Sequence, residues 1–243
     1  MRITRIFQPM PLVSGGSVNL DERASHHLAH VLRIKPGAPL VLFNGDGGEY
    51  HAQVHAVGKH GVAVSIGERS QPIRESKLET VLAQGVSRGE RMDYTLQKAV
   101  ELGVSRIVPL LTAHTSVNVT GERRERRAQH WQSIVTSACD QCGRNVVPEV
   151  DIIREFGAWV TEASSALKLV LHQDGEKGLS ELPPPAGAVS LLVGPEGGLS
   201  DAEVARAQAC GFTVLRMGPR ILRTETAGLA ALAALQAKWG DLC

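Results

Sequence analysis

From Leu78 onward, short apolar runs alternate with helical stretches, and this alternation constrains the fold more than any other feature of the chain. Residues 78–83, 106–111, 168–172, 189–193 and 213–217 read as strands. Residues 90–102, 125–139, 200–211 and 224–238 read as helices. On the first of these helices Met92, Leu96, Ala99 and Val100 share one face, and Gly103 supplies the stop. Ser200-Asp201-Ala202-Glu203 is a capping box that opens the third. The pattern predicts an α/β fold, a parallel sheet with helices on both faces.

The first 70 residues have a different rhythm. Residues 40–43, the glycine turn Asn44-Gly45-Asp46-Gly47-Gly48 and residues 49–54 form a hairpin pattern, and residues 62–66 add a strand. Residues 21–32 read as a short helix ended by Lys35-Pro36-Gly37. The expectation is a small β-barrel with one helix. A polar stretch over 68–77, with Pro72, sets the predicted boundary, giving domains 1–72 and 73–243.

Composition excludes some functions. Aromatic residues make up 4% of the 243, too few for a stacking platform that grips single-stranded nucleic acid. A net charge of +1 neither demands nor forbids an RNA partner, because local clustering decides that. No apolar run is long enough to span a membrane, and residues 1–5 have no signal-peptide core behind them, so a cytoplasmic protein is expected. Cys139-Asp140-Gln141-Cys142 has C-x-x-C spacing without a second pair, and His26, His27 and His30 lack a carboxylate partner. Reduced thiols and ordinary surface histidines are the favoured reading, and no metal is expected.

Chemistry concentrates near the C-terminal end. Leu191-Leu192-Val193-Gly194-Pro195-Glu196-Gly197-Gly198-Leu199-Ser200 reads as a buried strand that stops in a Gly/Pro loop and re-enters as a helix. Ile221-Leu222-Arg223-Thr224-Glu225-Thr226-Ala227 reads as a loop running into a small-residue helix. The first is neither a Walker loop nor a G-x-G-x-x-G fingerprint. Alone, it could be a mere tight turn. Three strand ends, Leu171-His172, Val193-Gly194 and Met217-Gly218, nevertheless all run into polar or glycine-rich exits, which points to one shared pocket.

Together the two motifs resemble those of the SPOUT methyltransferases, most closely the RsmE group, which methylates N3 of a uridine in small-subunit ribosomal RNA. Arg5-Ile6-Phe7, His26-His27-Leu28 with Val31-Leu32-Arg33, residues 97–103, and Gln141-Cys142-Gly143-Arg144 with Pro148 fit the same group. The resemblance implies an N-terminal PUA-like barrel and a C-terminal SPOUT-type parallel sheet with a deep trefoil knot. It also implies S-adenosylmethionine in the knot loops, and a homodimer acting on ribosomal RNA or the small ribosomal subunit, with no membrane or metal.

Under that reading Gly194, Pro195, Glu196, Gly197, Gly198 and Gly218 give backbone access to the cofactor. Leu192, Leu215 and Ile221 would wall the purine, and Leu171, His172, Met217, Leu222, Thr224, Thr226 and Ala227 complete the cofactor candidates. Arg223 is a candidate cation for the uridine anion, and Glu196, Glu225 and His172 are candidate bases, a choice that stays open. Arg223, Glu225 and Glu196 form the predicted catalytic set. Arg2, Arg5, Arg33, Lys35 and Arg144 are the candidate RNA contacts. Residues 122–127 read first as a solvated helix face. The final helix, with Ala227, Gly228, Ala230, Ala231, Ala233 and Ala234, is either buried within the chain or packed across a two-fold axis, with the second preferred. The alternatives are an RNA-binding assembly protein without catalysis, or a methyltransferase acting on another nucleotide or atom.

Overall fold

A computed structural model describes residues 3–59, 61–117 and 121–242. They divide into two compact units, one of residues 1–75 with 139–147 and one of residues 76–138 with 148–243. The first unit therefore takes nine residues, 139–147, that the linear division places in 73–243.

In the first unit β1 (Thr4–Phe7), β2 (Ser17–Asn19), β3 (Pro39–Phe43), β4 (Glu49–Gly58) and β5 (Gly61–Ser70) form one sheet in the order β1-β3-β4-β5-β2. The hairpin β3–β4 pairs antiparallel, as the glycine turn demands, and β1 joins β3 in parallel. Ile6, Leu28, Leu40, Leu42, Val54, Val62 and Val64 fill the core. The predicted helix is split into α1 (Glu22–His26), N-capped by Asp21, and a π-helical turn His27–Val31. Residues 139–147 join through specific bonds: Phe7 N–H donates to Asp140 Oδ1 at 2.9 Å, and Asn145 N–H donates to Glu75 Oε1 at 3.0 Å.

The second unit holds β6 (Thr80–Gly85), α2 (Glu90–Glu101), β7 (Arg106–Leu111), all of α3 (Glu122–Cys142) but its last turn, residues 139–142, which belongs to the first unit, β8 (Glu149–Val150), β9 (Arg154–Glu155) and α4 (Phe156–Glu162). It continues with β10 (Leu167–Leu171), β11 (Val189–Val193), α5 (Asp201–Ala209), β12 (Thr213–Leu215) and α6 (Thr224–Trp239). The sheet order is β12-β10-β11-β6-β7-β8, with β9 also on β7, and every pairing is parallel. Side-chain alternation sends Ala83, Val108, Val170 and Leu192 into a core with Phe156, Trp159 and Val160 of α4 and Ala207 of α5. The intervening Leu82 and Val193 lie against Gly228 of α6 on the opposite face. Helices thus cover both faces. Ser200 caps α5 and shares a full capping box with Glu203. The short β8, β9 and α4 carry too few residues to show a period, and sequence reasoning had no pattern there to read.

Candidate active site

In parallel register β12, β10 and β11 are neighbours, so Leu215, Leu171 and Val193 all end at the same edge of the sheet. Beyond them three backbone stretches line one cavity of about 890 Å³, within the size of small-molecule sites. These are residues 171–174, 193–199 and 215–225.

Two positions of the 194–198 loop, Gly194 and Gly197, have no room for a side chain. A Cβ on Gly194 would stand 2.7 Å from the Gly198 carbonyl carbon, and one on Gly197 would stand 2.8 Å from His114 Cβ. Gly198 and Gly218 hold φ of +72° and +77°, which disfavour any other residue. The loop is fastened from several sides. Gly198 N–H donates to Pro195 O at 2.9 Å, and His114 Nδ1 donates to Gly197 O at 2.9 Å. Thr224 Oγ1 donates to Gly194 O at 2.5 Å, and the Gln84 amide donates to the same carbonyl at 3.2 Å.

Glu196 belongs to this fastening. Its Oε1 accepts from Arg88 N–H at 2.8 Å and from Arg91 Nη1 at 3.3 Å. Burial pushes its carboxyl up, but those donors, its own backbone N–H and the Arg91 charge outweigh burial and hold it below the usual range. A carboxylate so stabilised is a poor proton acceptor, which sets Glu196 apart from the other base candidates. Glu225 is half-buried in the cavity wall, and neither its side chain nor that of exposed Arg223 has a hydrogen-bond or ion-pair partner among the described residues. His172 Nδ1 accepts from Asp174 N–H at 3.4 Å.

Of the sequence candidates, Leu171, His172, Gly194, Pro195, Glu196, Gly197, Gly198 and Leu215 line the cavity. So do Met217, Gly218, Ile221, Leu222, Arg223, Thr224, Glu225 and Ala227. Two do not. Leu192 is wholly buried in the α4/α5 core, because strand alternation turns it away and brings Val193 to the cavity. Thr226 points to solvent, since helical spacing carries Thr224 and Ala227, not Thr226, to the cavity wall.

A family model for the RNA methyltransferase domain matches residues 74–236, and one for an RNA methyltransferase PUA domain matches 20–67. The chain belongs to the RNA methyltransferase family. Ribosomal RNA small subunit methyltransferase E of Buchnera aphidicola is 34% identical to it, over 99% of this chain and 98% of that protein. A Legionella pneumophila methyltransferase, solved with its cofactor SAM bound, is 42% identical with a TM-score of 0.97, and each chain is covered in full. Ribosomal RNA small subunit methyltransferase E from Neisseria gonorrhoeae, solved with S-adenosyl methionine, is 38% identical with a TM-score of 0.93 over the whole of both chains.

The RNA candidates of this methyltransferase fall in different places. Arg33 and Lys35 are exposed after the π-helical turn, and Arg33 adopts φ of +49°. Arg5 is turned inward instead. Its side chain is 9% exposed, pairs with Glu49 Oε2 at 2.5 Å and donates to Asn145 Oδ1 at 2.5 Å. Arg144, 10% exposed, pairs with Glu75 at 2.7 Å. Both guanidiniums hold the first unit together and offer no free face to a phosphate. Arg2 lies outside the described residues. Within 139–142, burial pushes the Cys139 thiol up to about 12, which leaves no thiolate at neutral pH.

Sequence reasoning missed Arg91, Asp174, Asp201, Arg216 and Arg220 in the lining, and Gln84 and His114 behind it. Gln84 had a signal: a lone amide in the apolar strand Val81-Leu82-Ala83-Gln84 must find a buried partner.

Proposed function

We propose that this protein methylates N3 of a uridine in small-subunit ribosomal RNA, using S-adenosylmethionine. The observation that carries this reading is the single cavity built at three neighbouring strand ends and lined by glycine-rich backbone. The donor set fits the cofactor. An adenine needs backbone N–H and C=O groups within reach, and the glycines at 194, 197, 198 and 218 leave backbone open to the cavity to supply them. An apolar wall is at hand in Leu171, Leu215, Leu222 and Ile221, the last 84% exposed. Bound there, S-adenosylmethionine supplies a methyl group on a sulfonium, which is electrophilic without further activation.

The chain's own work is on the uridine. N3–H is weakly acidic, so the site must accept that proton and stabilise the anion left behind. Arg223, unpaired at the cavity mouth, is the cation for O2 or O4. Glu225, free of partners, is the favoured proton acceptor, with His172 the second choice. Arg216 and Arg220, both exposed on the same rim, suit the phosphates of an approaching RNA strand, as Arg33 and Lys35 do on the first unit. The loops over 194–198 and 216–223 form a trefoil knot in this reading, and two copies pair through α6. Gly228, Ala231, Leu232 and Leu235 of that helix are buried within the chain, while Ala227, Ala230, Ala233 and Ala234 stay partly open.

Nucleoside mass spectrometry of small-subunit RNA from cells with and without the protein tests the assignment. A single N3-methyluridine that depends on the protein is expected. A methyl group on another atom, or no dependent nucleoside, refutes it.

A further inference from the structure

One buried side chain reaches three stretches of backbone that are remote in sequence. Gln84, fully buried at the end of β6, stands opposite Val193 of β11. Its Nε2 lies within hydrogen-bond distance of Gly85 O at 3.1 Å, Gly194 O at 3.2 Å and Thr224 Oγ1 at 2.9 Å, so its two hydrogens serve three acceptors and one is shared. The Thr224 hydroxyl in turn donates a hydrogen bond to Gly194 O. Two donors therefore converge on one carbonyl and use both of its lone pairs. The amide cannot be turned over, since its oxygen would then face two carbonyl oxygens. Gln84 Oε1 is left without a partner among the described residues, a cost that ordinary core packing would have eliminated.

Gly194 is the point at which the chain leaves β11 to form the cavity loop, and Thr224 is the point at which the second loop enters α6. The shared carbonyl sets the distance between them. Although Thr224 lines the cavity, its hydroxyl is spent on Gly194 and Gln84 and is not offered to a ligand. We infer that Gln84 and Thr224 are positioning residues: by fixing the Gly194 carbonyl they hold the two cofactor loops at one separation and preset the cavity before ligand arrives. This rests on the S-adenosylmethionine reading above. Preorganisation of this kind acts on binding rather than on the fold.

Calorimetric titration of the full chain with S-adenosylhomocysteine, beside thermal unfolding, tests it. Thr224→Val keeps the shape and removes the hydroxyl; it should weaken binding roughly tenfold, the loss from one buried hydrogen bond, with a cooperative melt retained. Thr224→Ser restores the donor and should bind within about twofold of the natural chain. Gln84→Leu should match Thr224→Val, and the double variant should bind no more weakly than the weaker single, since both act on one carbonyl. Natural affinity in Thr224→Val, or equal weakness in Thr224→Ser, overturns the inference, and that pair decides the matter even if Gln84→Leu fails to fold. Absence of binding by the natural chain would instead refute the cofactor reading itself.

Discussion

Arg223 and Glu225 flank Thr224 at the start of α6, and the three side chains divide the work. Thr224 is committed to backbone, while its neighbours are left unpaired at the cavity. An unpaired guanidinium beside an apolar wall gives nothing to stability and is placed to receive negative charge. Arg223→Ala should keep its circular dichroism and lose methyl transfer by about 10²–10³-fold, the cost of removing one oxyanion donor. A single-turnover rate equal to that of the natural chain would take Arg223 out of the mechanism. The same scale separates Glu196 from Glu225. The motifs bring both carboxylates to the cavity, but the fold engages the first with Arg88 N–H and Arg91.

Among elements, the loop after β11 and the strand before it respond to substitution in opposite ways. Gly194→Ala puts a methyl group 2.7 Å from the backbone of Gly198 and 2.8 Å from Leu199 N, where no flexible side chain can yield. Loss of S-adenosylhomocysteine binding with little change in melting temperature is the expected result, read by calorimetry and thermal unfolding. Leu192→Ala, two residues earlier, empties the α4/α5 core instead. It should cost about 2–5 kcal/mol in denaturant unfolding. Period and capping make β6, α2, β11, α5 and α6 legible in the sequence, since each has a clear apolar pattern or carries a terminal signal such as Ser200 with Glu203. The same strand period assigns Leu192 to one face, yet which face meets the cavity depends on where α4 and α5 pack. That is a tertiary fact, and Leu192 was misplaced for want of it.

At the level of the whole molecule, residues 139–147 were the least legible part. Their attachment to the first unit depends on Asp140, Arg144 and Asn145 meeting Phe7, Glu75 and Arg5, long-range pairs that leave no local pattern. The proposed knot would be equally invisible to periodicity and rests on the resemblance alone. The first unit should also answer to acid. Burial raises the Glu49 carboxyl, but Arg5 and Arg74 overcome burial and hold it below its ordinary 4.5. A carboxylate lowered in the folded state contributes stability that is present above about pH 4.5 and is lost as pH falls through the folded value. Acid unfolding followed by circular dichroism should therefore steepen below that point, and Glu49→Gln should flatten this part of the curve.

The account stands or falls on where the cofactor sits. A crystal structure of the full chain grown with S-adenosylhomocysteine should show the nucleoside between residues 194–198 and 216–224, its adenine bonded to backbone. Density for the nucleoside at any other place, with those two loops bare, would contradict the account.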